Sequence, residues 1–287
     1  MTRRTATAIG FVAVLLWALL ALFTVAAAPV PPFQLAALTF ALGALVGLGW
    51  GLATGTLGAL RTVPLGVYAA GTLGLFGYHA LYFSALRLAP PAEAGLIAYL
   101  WPLLIVLLSG LLPGEHLRRG HVAGALAGFA GAALILGAGR GEPGTGAFAG
   151  YALALLCALF WSGYSVLSRR FGAVPTVSVT VFCAASAVAA AGVHLAVEDW
   201  VAPSPGNWAA IAALGLGPVG LAFFVWDVGV KRGDIQLMGT LSYAAPVLST
   251  FILVVSGLAP GSWTLLGATA LIVLGAALAA RASAGRL

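Results

Sequence analysis

The residues with chemistry to offer in this chain are few and mostly aromatic. Trp17, Trp101 and Trp161, with Tyr82, Tyr99, Tyr243 and His79, each join a ring face to one polar tip. Such side chains suit a small amphipathic ligand, because ring faces cover its apolar part while N–H and O–H groups anchor the rest. His79 shares a helix face with Tyr82 and can hydrogen-bond a carboxylate or carbonyl when neutral, or pair with a carboxylate when protonated. Ser242 adjoins Tyr243. Proline removes an intrahelical hydrogen bond and exposes a carbonyl, so Pro102 and Pro246 mark expected helix breaks. The machinery of an enzyme is not apparent: there is no His-Glu-x-x-His, no Gly-x-Ser-x-Gly and only one intramembrane acid. Asp227 is the one acid well inside an apolar stretch, with Lys231 four residues on as its natural partner. Cys157 and Cys183 lie in apolar runs and suggest neither a disulfide framework nor a zinc site. The expectation is a binding protein without metal or cofactor, with an intramembrane enzyme as a remote alternative.

The elements that must position these residues are membrane helices. Of the 287 residues, 62% are apolar or aromatic and only 7% are charged, with mean hydropathy +1.08. A soluble domain carries about a quarter charged residues. A spanning helix needs about 20 predominantly apolar residues, and Gly, Pro and charged residues divide the chain into ten such runs, near 7–27, 34–54, 64–86, 94–112, 121–139, 147–168, 176–197, 207–230, 236–257 and 263–281. The net charge of +6 is too thinly spread for a nucleic-acid surface. It reads as a topology signal instead. With both termini in the cytoplasm, eleven of the thirteen bases fall inside, and only Arg87 and Arg140 fall outside. The expected location is the inner or plasma membrane, with the lipid bilayer and a small-molecule substrate as partners and a monomer or homodimer as the assembly.

The chain also repeats itself. A shift of 144 residues lays Gly95, Tyr99, Pro102 and Leu104 on Gly239, Tyr243, Pro246 and Leu248, and Trp17 on Trp161. The implied units are 1–143 and 144–287, with five spans each. Five is odd, so the second unit enters the membrane in the opposite sense, and an inverted repeat of this kind suits alternating access. At 1.5 Å rise per residue, Trp17, Trp101, Pro102 and Pro246 fall near span centres, with Trp161, Ser242 and Tyr243 about a turn away. Tryptophan and tyrosine usually collect at the membrane interfaces. Their mid-depth placement points either to an aromatic-lined cavity or to tight helix packing.

Ten spans in two halves, Leu-Leu-Trp17 recurring as Leu-Phe-Trp161, and the Gly-x-x-x-Tyr-x-x-Pro-x-Leu of spans 4 and 9 resemble the drug/metabolite transporter superfamily, EamA type. The aromatic centre is similar to that of bacterial aromatic amino acid exporters. The resemblance implies an all-α bundle of ten transmembrane helices, in which spans 1–4 and 6–9 surround a central cavity. It implies outward movement of small amphipathic metabolites. The expected site is Trp17, His79, Tyr82, Tyr99, Trp101, Trp161, Ser242, Tyr243 and Pro246. Neither half is a strict copy, since Trp101 falls opposite Ala245 and His79 opposite Phe223. The absence of a midplane carboxylate favours facilitated transport, the absence of a midplane base favours a neutral or zwitterionic substrate, and the resemblance implies aromatic or other neutral amino acids. Proton-coupled export of other metabolites or drugs is the competing reading.

Overall fold

The computed structural model describes residues 1–136, 147–257 and 263–284. The expected unit boundary at 143/144, the outer-loop residues Arg140 and Glu142, and Arg286 in the tail lie outside the described residues. Every regular element among the described residues is helical. Seven stretches are long and apolar enough to cross a membrane: Arg3–Ala26, Pro32–Ala53, Ala147–Arg170, Thr176–Val197, Pro205–Arg232, Ile235–Val255 and Leu266–Ser283. The protein is therefore an all-helical, multi-pass integral membrane protein.

In chain order the helices are α1 (Arg3–Ala18), α2 (Leu20–Ala26), α3 (Pro32–Ala53), α4 (Leu65–Thr72), α5 (Tyr78–Leu88), α6 (Pro91–Ala98), α7 (Trp101–Ser109) and α8 (Arg119–Leu136). They continue as α9 (Ala147–Arg170), α10 (Val179–Val197), α11 (Pro205–Leu216), α12 (Ala222–Arg232), α13 (Ile235–Leu241), α14 (Ala244–Val255) and α15 (Trp263–Ser283). The sequence-predicted spans at 64–86, 94–112 and 121–139 correspond to α4 with α5, α6 with α7, and α8, which are interrupted, short or less apolar. Prolines sit where their missing N–H does no harm, at the starts of α3, α6, α7 and α11. Two interruptions are π-helical turns, Leu73–Gly77 between α4 and α5 and Gly217–Leu221 between α11 and α12. A π-turn accommodates an extra residue within a helix and re-aims the side chains beyond it.

Element bounds recur at one spacing. Arg3–Ala26 and Ala147–Arg170, Pro32–Ala53 and Thr176–Val197, and the two π-turns each differ by 144 residues at both ends. The starts of α6 and α13, and of α8 and α15, differ by the same amount.

Leu65, Phe148, Val188 and Leu195 are largely exposed, as lipid-facing residues should be. The buried core mixes aliphatic residues such as Val14, Leu75 and Ile105 with aromatic rings and with polar groups including Ser162, Ser165, Asp227 and Gln236. Glycine allows the closest approaches: a Cβ on Gly10 of α1 would lie 2.7 Å from the Gly229 Cα of α12.

Candidate functional site

Four helices each deliver one tryptophan to a common point: Trp17 from α1, Trp101 from α7, Trp161 from α9 and Trp226 from α12. All six pairs are in ring contact. Trp17 lies 6.1, 5.6 and 5.1 Å from Trp101, Trp161 and Trp226, centroid to centroid. Trp101 lies 6.2 Å from Trp161 and 5.9 Å from Trp226, while Trp161 and Trp226 stack at 6.0 Å. Most of these contacts are edge-on or tilted, which sets positive ring edges against negative ring faces. Trp226 is fully buried, Trp101 and Trp161 nearly so, and Trp17 only partly.

The indole tips divide into two kinds. Trp17 Nε1 donates to the carbonyl oxygen of Pro218, within the second π-turn, at 3.0 Å. Trp226 Nε1 donates to Ser165 Oγ at 3.1 Å. These two rings are fixed by the fold itself. Among the described residues, Trp101 and Trp161 donate no indole hydrogen bond, so two N–H groups in the cluster have no acceptor there.

A second layer of rings borders the cluster. Tyr78 lies 5.7 Å from Trp161 and stacks on Tyr82 at 6.0 Å, and Tyr99 lies 6.4 Å from Trp101. Phe223 lies 5.7 Å from Trp161 and stacks on Phe40 at 5.8 Å. His79 stands among Phe40, Phe83 and Phe223, with centroids at 5.0, 6.0 and 6.3 Å. Its Nδ1 is 2.8 Å from the Leu75 carbonyl oxygen, in the first π-turn. A carbonyl only accepts, so Nδ1 carries the proton, and in the neutral ring Nε2 is an acceptor.

The structure thus brings Trp17, His79, Tyr82, Tyr99, Trp101 and Trp161 into one aromatic assembly. Ser242 and Tyr243 make no ring contact with the four tryptophans among the described residues, although Tyr99 also packs against the cluster that holds Tyr243. Ser242 is fully buried and its Oγ donates to the Met238 carbonyl oxygen of its own helix at 2.8 Å. Tyr243 packs with Phe129, Ala132, Val247, Ala268 and Ile272 on the side toward α8 and α15. Its hydroxyl accepts the Leu103 N–H at 3.1 Å, which satisfies a free donor in the first turn of α7. Pro102 is the second residue of α7 and Pro246 the third of α14, each buried just after a break in its helix. The Asp227 and Lys231 side chains form their ion pair at 2.8 Å.

The site expected from the sequence leaves out Trp226, Tyr78, Phe40 and Phe223, although the repeat sets Phe223 opposite His79. For Trp226 a signal existed: the 144-residue shift lays it on Tyr82.

Comparison with known proteins follows the same lines. Residues 5–137 and 148–281 each match the EamA-like transporter family. The aromatic amino acid exporter YddG of Ancylobacter novellus is 56% identical over 284 residues, covering 97% of this chain and 98% of its own. The YddG exporter of Escherichia coli is 28% identical, with 92% of each chain covered. A protein of known crystal structure, 55% identical, superposes with a TM-score of 0.95 over 99% of both chains.

Proposed function

This chain belongs to the EamA-like transporter family, and from that premise we propose that it exports aromatic and other neutral amino acids by alternating access, without ion coupling. It is a membrane transporter, not an enzyme. The observation that carries the substrate reading is the four-tryptophan cluster with two undonated indole N–H groups, bordered by His79. Such a site offers ring faces to an aromatic side chain, N–H donors to a carboxylate, and an imidazole lone pair with nearby ring faces to an ammonium group. The exporters named above, similar along nearly the whole chain, support the same substrate class.

The proposed architecture is ten transmembrane helices in two inverted five-helix units, 1–143 and 144–287, with both termini in the cytoplasm. The shared 144-residue spacing of helix and π-turn bounds supports it, as do the separate family matches of the two halves. The uncoupled reading is supported by the lack of an acid near a span centre, since Asp227, the acid deepest within an apolar run, is paired with Lys231 at 2.8 Å.

The test is counterflow in liposomes containing the pure protein. Preloaded tryptophan should drive uptake of labelled tryptophan, phenylalanine and threonine, and an imposed proton or sodium gradient alone should drive none. Uphill accumulation on a pH gradient would reject the uncoupled mechanism, and absence of amino acid counterflow would reject the substrate class.

A further inference from the structure

At the end of the bundle that carries the N-terminus, charged side chains tie four elements together. Glu115, in the connection between α7 and α8, meets Arg3 of α1 at 3.2 Å and Arg169 of α9 at 2.5 Å. Arg3 also reaches Asp234, the residue before α13, at 3.5 Å. Gln236, with its amide turned to donate, lies 3.3 Å from both Glu115 Oε2 and Asp234 Oδ1. Arg169 further donates to the carbonyl oxygens of Lys231 at 2.6 Å and Gly233 at 3.1 Å, which holds the end of α12. Asp234 and Gln236 are fully buried and Glu115 nearly so. Arg3 and Glu115 belong to the first half of the chain, Arg169 and Asp234 to the second. The pairs from Arg3 to Asp234 and from Arg169 to Glu115 therefore join the halves.

In the sequence, the 144-residue offset pairs Arg3 with Ala147, Asp234 with Pro90 and Arg169 with Val25, none of them charged. The opposite end has a different cluster, in which the buried Glu198 meets Arg87 at 3.0 Å and His194 at 3.1 Å and accepts the Phe33 and Gln34 N–H groups, with one guanidinium, 49% exposed, where the inner end has two. An exact inverted repeat would give its two open states equal energy, and charge networks of different make-up at the two ends remove that equality.

We infer that the network of Arg3, Glu115, Arg169 and Asp234 is a latch that keeps the cytoplasmic mouth shut, and that Glu115 sets how often the transporter opens inward. The inference rests on the alternating-access reading but not on the identity of the substrate. Removing one member of a buried charge network leaves its partners uncompensated. With Glu115 neutralised, the closed state holds two guanidinium groups against Asp234 alone, whereas in the open state water solvates them all. The substitution therefore penalises the closed state selectively and shifts the population inward. The latch is also not perfect: among the described residues, buried Asp234 Oδ2 accepts no hydrogen bond and has the longer Arg3 contact at 3.5 Å.

Thiol accessibility in the purified protein tests this directly, without substrate. Met238 of α13 is fully buried against Gly10 and Gly229 and reports on the inner end. Tyr82, partly exposed beside the aromatic cluster, reports on the outer half. Single cysteines at these positions, in a background with Cys157 and Cys183 changed to Ser, are reacted with a maleimide. E115Q should raise labelling of M238C about tenfold, which corresponds to about 1.4 kcal/mol, and should lower labelling of Y82C. E115D should stay near the parent rates. D234N breaks the network at its other end, retains an N-cap residue, and should give the same reciprocal shift, so it replaces E115Q if that variant does not fold. L237C replaces M238C on the same ground. The latch is overturned if both reporters speed up together, which is general loosening, or if neither changes more than about twofold. A reciprocal shift in a protein that moves no amino acid would uphold the latch and reject the substrate reading alone.

Discussion

Trp101 and Trp161 differ from Trp17 and Trp226 in one respect that matters for binding: their indole N–H groups have no acceptor among the described residues. Replacing either by Phe keeps a ring in the cluster and removes only the donor. W101F and W161F should therefore weaken tryptophan transport through KM by several-fold, since a hydrogen bond to a charged group is worth about 1.5 to 3 kcal/mol and part is recovered by water. W226F should act differently, because it leaves the buried Ser165 hydroxyl without its donor. Its expected effect is a lower apparent Tm with KM little changed. Competition binding and thermal unfolding on the same preparations separate the two. At this scale the sequence was informative where a residue type was out of place: tryptophan at mid-depth drew attention to Trp17, Trp101 and Trp161. Trp226 escaped because it lies toward the end of its apolar run, and the π-turn at Gly217–Leu221 is what re-aims it. The tautomer of His79 was equally hidden, since it is set by the Leu75 carbonyl within the other π-turn.

Helix interruptions do the positioning. Tyr243 illustrates how, for its hydroxyl meets the Leu103 N–H at the broken start of α7. Y243F should strand that buried donor at a cost of about 1 to 3 kcal/mol, lowering the apparent Tm while leaving the aromatic cluster in place. The π-turn of Leu73–Gly77 makes a second demand. A Cβ on Gly74 would meet the Tyr164 side chain at 2.5 Å, whereas one on Gly163 would meet nothing within 4 Å. G74A should accordingly lose folded protein on detergent extraction and G163A should not. Prolines announced the breaks near Pro102 and Pro246, because a missing N–H leaves its mark in the sequence. The first π-turn left no such mark, since Leu-Gly-Leu-Phe-Gly reads as ordinary membrane helix; the second holds Pro218, a signal the sequence reading did not use.

For the whole molecule, the strong hydropathy and the 144-residue offset make the all-helical class and the doubled pattern legible without coordinates. Long-range ion pairs such as Arg3 with Glu115 were not, since no spacing rule links residues 112 apart. Burial of Glu115 pushes its pKa up, but Arg3 and Arg169 outweigh it and hold the carboxyl below its ordinary value. A depressed folded-state pKa contributes stability above the unfolded value and loses it as pH falls through the folded one. The stability difference between the parent protein and E115Q should be complete at neutral pH and shrink below about pH 4.3, as thermal unfolding across a pH series will show. Topology is tested in intact cells, where a cysteine at Pro203 should react with an impermeant reagent and one at Gly172 should not.

The central claim is that the tryptophan cluster is the substrate site of this transporter. Tryptophan counterflow by W101A and W161A in liposomes, normalised to monodisperse folded protein, tests it most directly. Each loses an aromatic contact worth about 0.5 to 1.5 kcal/mol beyond its area, and transport per folded molecule should fall several-fold or more. Leu-to-Ala changes at exposed Leu126 and Leu134 of α8 should leave it nearly intact. Unchanged transport per folded molecule in both Trp variants, with the damage confined to the yield of folded protein, would make the cluster a packing element and contradict the account.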